Sequence, residues 1–252
     1  MTSTSKTLTS KIRTLVLGDV HGAYKALLQV LERSKFNPKK DRLICLGDVA
    51  DGWSQVIECV DYLKELDNLI LIAGNHDEWA IDYLKTGATP HIWTSQGGFE
   101  TLRALQGLSK ERKMEVLKFF EKRLTYYEEG HGKSKRIFVH GGINPYKDAS
   151  EQDKEEMLWD RVLIQKVKIL NDRLGKVSAN ELKLGEIYDE IYIGHTSTWS
   201  WSKVPYIACG VYCLDQGAGW FGKLTIMDID TKEYWQSDNV VGLYPDEFGR
   251  RG

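Results

Sequence analysis

Five times along this chain a short apolar run ends in a small polar cluster. The segments are RTLVLGDVHG, DRLICLGDVADG, DNLILIAGNHDE, KRIFVHGGI and DEIYIGHTS. Each run is rich in Val, Ile, Leu, Tyr or Phe, long enough for a buried strand and too short for a helix. In four of the five a glycine precedes the polar residue; in the fourth segment Val139 leads straight into His140. Glycine lets the backbone turn sharply at a strand end and lets another group come close.

Helical periodicity separates the first three runs. Residues 23–34, AYKALLQVLERS, put Leu27, Leu28, Val30 and Leu31 on one face, and residues 54–66 gather Val56, Ile57, Val60, Leu63 and Leu66. Strand, helix, strand, helix, strand implies βαβ units and a partly parallel sheet. Ligands of such sheets gather at the carboxyl ends of the strands, where all five clusters lie.

Beyond this core, EWAIDYLK and SKERKMEVLKFFEKRL read as amphipathic helices of an insertion over about 78–135. A charged loop, KDASEQDKEE, leads to a helix at RVLIQKVKILNDRL. After Gly194 the segments VPYIACGVYCL, GKLTIMDID and KEYWQSD read as consecutive strands. The division expected is a polar tail over 1–11, one domain over 12–236 and a surface tail over 237–252. With 252 residues, 42% hydrophobic and 28% charged, a single large core is affordable.

Charge and cysteine use narrow the function classes. A net charge of −2 gives no reason to expect nucleic-acid binding, and no apolar run is long enough to span a membrane. Cys45, Cys59, Cys209 and Cys213 read as core residues; the spacing of the last two lacks the second pair of a zinc site. The first eleven residues lack the apolar stretch of a signal peptide, so a cytoplasmic location is expected.

The clusters carry the chemistry. Side chains two apart on a strand point the same way, so Asp19 and His21 can hold one ion while Val20 faces the core. Asp48 adds a carboxylate from the next strand end. Carboxylate and imidazole without thiolate suit Mn, Fe or Zn. Asn75, His76, His140 and His195 then remain, more donors than one ion accepts. Two ions bridged by a carboxylate would use them, and would lower the pKa of a bridging water toward about 7. A departing alkoxide also needs a proton, and His76 oriented by Asp51 is a candidate donor. Taken singly, each of these residues reads as a turn or cap residue; five clusters at equivalent strand ends do not.

In order and form the motifs GDVHG (18–22), GDVADGW (47–53), GNHDE (74–78), HGG (140–142) and GHT (194–196) resemble the calcineurin-like metallophosphoesterases, most closely the bacterial and phage phosphoprotein phosphatases. WTSQGGFETL (93–102) and LDQGAGWFGKLTI (214–226) extend the resemblance. It implies two mixed β-sheets packed face to face with helices outside. It implies two divalent metal ions, Mn first among them, with Asp19, His21 and Asp48 at one and Asp48, Asn75, His140 and His195 at the other. A metal-bridging hydroxide would be the nucleophile, His76 the general acid and Asp51 its orienting partner. The implied function is phosphomonoester hydrolysis, including serine/threonine phosphoproteins; the alternative is a phosphoanhydride or diester hydrolase such as a diadenosine tetraphosphatase.

The chain also departs from the family pattern. Gly52 stands where GDxxDRG carries a phosphate-binding arginine, and Ala73 where a second arginine often precedes GNHE. LWDR (158–161) resembles the family's LW-x-R segment, which makes Arg161 a candidate contact to the substrate phosphate, together with Asn75. The space expected at Gly52 gives Trp53 two readings, stacking on a nucleobase or core packing; Trp79, Trp93, Trp199 and Trp201 share that ambiguity. Asp77, where the family usually has Glu, receives no role.

Overall fold

The structure is a computed structural model that describes residues 12–175 and 181–251; the polar segment 1–11 lies outside the described residues. The apolar runs form strands too short to bury themselves, and they assemble into two mixed sheets. In the first, β1 (Thr14–Leu17), β2 (Arg42–Cys45) and β3 (Leu69–Leu71) run parallel. β9 (Thr225–Asp228) and β10 (Tyr234–Gln236) add antiparallel edges, giving the order β10-β9-β1-β2-β3.

The second sheet has the order β4-β5-β6-β8-β7. β5 (Arg136–Val139), β6 (Glu190–Ile193) and β8 (Val211–Cys213) are parallel, flanked by antiparallel β4 (Tyr126–Glu129) and β7 (Tyr206–Ala208). β4 was not foreseen: YYEE lacks an apolar run, and its four residues are only half-buried on an edge.

Strand alternation decides which residue meets which layer. Val16, Ile44, Ile72, Phe138, Tyr192 and Met227 fill the space between the sheets. Leu15, Leu17, Leu43 and Cys45 face the other way, against α1 (Tyr24–Arg33), α2 (Val56–Lys64) and the helix Lys110–Phe120. Ile137, Val139, Ile191 and Ile193 pack outward against the helix Val162–Leu174. Both faces of each parallel strand are therefore covered, which is why their sequences read as continuous apolar runs.

Two expectations are corrected. Leu28 is 41% exposed, because it lies about 100° round α1 from Leu27 and only Ala26, Leu27, Val30 and Leu31 face the core. Residues 240–251 are not a surface tail. Val240 and Tyr244 are buried, and Tyr244 stacks on Trp53 with ring centroids 5.0 Å apart. Its hydroxyl accepts from the Lys25 amide at 2.9 Å and donates to Gln55 at 2.8 Å. An aromatic with both polar and apolar partners anchors the chain end.

All four cysteines are buried free thiols, in accord with core packing. Among the described residues no helix is long and apolar enough to cross a membrane.

Candidate active site

The sheets bring the five polar clusters together at the carboxyl ends of β1, β2, β3, β5 and β6. Asp19, His21, Asp48, Asp51, Asn75, His76, His140 and His195 are all buried there. Two sites need glycine for this convergence. A Cβ on Gly74 would lie 2.1 Å from the Asp48 amide nitrogen, and one on Gly194 2.0 Å from Asp19 Oδ1. His21, Asp48, Asp51 and His195 themselves adopt positive φ, a conformation unfavourable for non-glycine residues. Such strain concentrates where side chains are held for a task.

Donor atoms cluster in two groups that share Asp48: Asp19, His21 and Asp48, and Asp48, His140 and His195. Within each group one ligand atom per residue lies within 4.8 Å of the others. Asn75 Oδ1 joins the second group, 2.9 Å from His140 Nε2 and 2.8 Å from His195 Nδ1.

Two imidazoles are pinned from behind. His21 Nδ1 donates to the Ala50 carbonyl at 3.1 Å and His140 Nδ1 to the Leu46 carbonyl at 2.7 Å. That leaves each Nε2 as the atom facing Asp48, at 3.5 and 3.4 Å. A second bond of this kind fixes the tautomer of a metal-binding histidine. Asp19 Oδ1 is buried without a hydrogen-bond partner. Buried polar atoms are normally paired, so this orphan fits a cation.

Electrostatics agree with that fit. Burial pushes His195 down to about 2, helped by His140 and Arg161, and burial with Arg250 lowers His21. Both rings are therefore neutral and able to ligate. Burial also disfavours the His140 cation, but Asp48 overrides it and pushes the ring up to about 9. Asp48 is held below the carboxylate range, because the surrounding histidines outweigh its burial. Burial and the Asp215 charge raise Asp19. Carboxylates crowded this closely call for positive charge.

Beside the donor groups, His76 Nδ1 meets Asp51 Oδ2 at 2.6 Å. Asp51 in turn accepts from Trp93 Nε1, and its amide donates to Thr101 Oγ1 at 2.7 Å. Asp77 does not enter the site. It joins two loops, accepting from the Ala50 amide at 2.9 Å and the Gly74 amide at 3.3 Å. Burial and Asp48 push its carboxyl up to about 8.

Arg161 is exposed at the rim and donates to the His195 carbonyl and Thr196 Oγ1 at 3.3 and 3.2 Å. Trp79 meets His76 edge-on at 4.9 Å and Trp159 at 5.5 Å, an aromatic rim for the site. The stacking role considered for Trp53 is excluded: its ring is fully buried and its Nε1 donates to the Ala218 carbonyl at 2.7 Å. Nor is Gly52 open, since the Arg250 side chain passes within 3.4 Å of its ideal Cβ position.

The calcineurin-like phosphoesterase family model matches residues 12–210, most of the chain and every one of these strand ends. The chain belongs to that family. Its hydrolases act on phosphate esters and depend on a dinuclear metal centre, and the donor groups sharing Asp48 match that requirement. The chain is 26% identical to serine/threonine-protein phosphatase 1 of Salmonella typhimurium over 85% of this chain and 90% of that one. It is also 26% identical to a symmetrical bis(5'-nucleosyl)-tetraphosphatase of Pseudomonas fluorescens, over 87% and 92%. A serine/threonine phosphatase of Saccharomyces cerevisiae superposes over 91% of this chain and 81% of its own, with a TM-score of 0.58 and 15% identity. That likeness is one of fold.

Proposed function

We propose that this metallophosphoesterase cleaves phosphomonoesters, with phosphoserine and phosphothreonine of proteins as its substrate class. The observation that carries the reading is the pair of donor groups sharing Asp48, set beside the His76–Asp51 pair. In it, Asp19, His21 and Asp48 hold one ion, and Asp48, Asn75, His140 and His195 the other. Oxygen and imidazole donors without thiolate suit Mn, Fe or Zn, and Mn²⁺ comes first because the family resemblance implies it. Such ions, when bound, polarise a phosphoryl group and make coordinated water a better nucleophile at neutral pH.

The chain's own groups do the rest. Asn75 and Arg161 contact the phosphate oxygens, Arg161 from the rim through charge-assisted hydrogen bonds. His76 holds the proton for the leaving oxygen on Nε2, while Asp51 accepts the Nδ1 proton and stabilises the charged ring. A groove of about 780 Å³ runs past Arg161, lined by Tyr146, Trp159, Val162 and Lys166. Tyr146, Trp159 and Val162 are exposed apolar surfaces there. They suit the residues flanking a phosphorylated side chain better than a bare phosphate. Four buried thiols support a reducing, cytoplasmic setting.

The test compares initial rates on a phosphothreonine peptide and on diadenosine tetraphosphate after chelation and Mn²⁺ replacement. His76→Asn controls for contaminating activity. Faster peptide turnover that the variant lacks supports the reading; faster dinucleotide turnover replaces it with the anhydride reaction named for the Pseudomonas relative.

A further inference from the structure

The arginine missing at position 52 has a replacement in space. Arg250, near the chain end, lies in a channel walled by three glycines. A Cβ on Gly97 would lie 2.9 Å from its Cγ, one on Gly219 2.8 Å from its Cδ, and one on Gly52 3.4 Å from its Cγ. The Arg250 amide donates to the Gly219 carbonyl at 2.9 Å, which anchors its backbone at the channel mouth.

One edge of the guanidinium is fully engaged. Nε donates to the Gln96 carbonyl and Nη2 to Gln96 Oε1, each at 3.2 Å, and Cζ lies over the Trp220 ring, 4.9 Å from its centroid. The other edge faces the metal-ligand cluster, with Nη1 3.5 Å from His21 Nε2. That nitrogen accepts nothing from Nη1 once it ligates a cation. Arg250 is only 9% exposed, and among the described residues no carboxylate forms a close ion pair with it; the buried Asp215 interacts with it at longer range. A buried cation without a direct partner is costly. Its placement beside further cations makes sense if an anion sits between them.

We propose that Arg250 is a substrate-binding residue: its Nη1 edge holds the non-bridging oxygens of a phosphate placed over the two metal ions. The side chain reaches that place from near residue 250, passing Gly52 with its Cγ 3.4 Å from that glycine's ideal Cβ position. This rests on the reading of the site as one for phosphate esters. Gln96 and Trp220 fix the plane, so little rotamer freedom is lost when the phosphate arrives.

Arg250→Met tests it, because it keeps the aliphatic stem in the channel and removes the charge. Arg250→Lys keeps the charge without the fork. Each Mn²⁺-loaded full chain is titrated with inorganic phosphate by calorimetry, and its Mn²⁺ content is measured. Arg250→Met is expected to raise the phosphate Kd about 10- to 100-fold at unchanged Mn²⁺ content, with Lys intermediate. Millimolar guanidinium ion restores part of the binding to the Met variant. A Met variant that binds phosphate like the wild type overturns the proposal. So does loss of phosphate binding together with loss of Mn²⁺, which makes Arg250 a support for His21, and so does a wild type that binds no phosphate. If the wild type binds phosphate through Arg250 yet hydrolyses no monoester, the substrate reading fails and Arg250 stands.

Discussion

Trp93 donates its indole N–H to both carboxylate oxygens of Asp51, at 2.9 Å each. The same carboxylate takes His76 Nδ1 at 2.6 Å. A fully buried indole thus fixes the carboxylate that orients the proposed acid. Trp93→Phe removes the donor and keeps most of the ring volume. A fall in kcat of about tenfold is expected, the size of one lost hydrogen bond to a charge. KM and Mn²⁺ content stay near the wild-type values. Equal kcat in the two proteins would remove Trp93 from the mechanism.

His76 is the proposed proton donor, and no role as a metal ligand is assigned to it. His76→Asn should lower kcat by about 10²–10⁴-fold on a monoester with a poor leaving group. The loss should shrink on an activated aryl phosphate, whose leaving group needs no proton. A loss equal on both substrates, or accompanied by lost Mn²⁺, points to a ligand instead.

Metal uptake should depend on pH through His140. In the metal-free protein Asp48 pushes this ring up to about 9, against its burial. A ligand must be neutral, so below that pH an entering ion displaces the His140 proton. Mn²⁺ affinity should rise about tenfold per pH unit between pH 6.5 and 8.5. The raised value also stabilises the metal-free fold below about pH 6.5, a contribution lost as pH rises through about 9. Calorimetry in buffers of different ionisation heat counts the released proton; an affinity flat across this range contradicts the coupling.

Asp77 is read as a structural residue. Asp77→Ala strands the buried Ala50 and Gly74 amides and should cost about 2–4 kcal/mol of stability. Asp77→Asn keeps the acceptor for Ala50 and should cost less. Both variants, once Mn²⁺-loaded at a temperature where they are folded, should keep kcat within a few-fold. Urea titration with activity measured in parallel separates the two effects.

The parts of this molecule legible in sequence are those set by local pattern. Runs such as LVL and LICL announce buried strands because both faces of the parallel strands are covered. The strand-end clusters follow from topology, since parallel strands put their carboxyl ends on one side. Contacts between distant segments were not legible. Trp93 reaches Asp51 across 42 residues, and nothing in WTSQGG states that its indole is a donor to that carboxylate. Tyr244 and Arg250 sit in a polar, glycine-rich C-terminal stretch that reads as a tail, yet each fills a place beside Trp53 or His21. Gly52 looked like an empty space because the residue that fills it lies almost two hundred positions away.

The central claim is that two ions sharing Asp48 drive phosphoester cleavage. Titrating the chelated protein with Mn²⁺ while following phosphate release tests it most directly, with Asp48→Asn in parallel. Two ions bound per chain, with activity tracking the second and both sites weakened in the variant, is the predicted result. A single bound ion, or phosphate release that persists without metal, contradicts it.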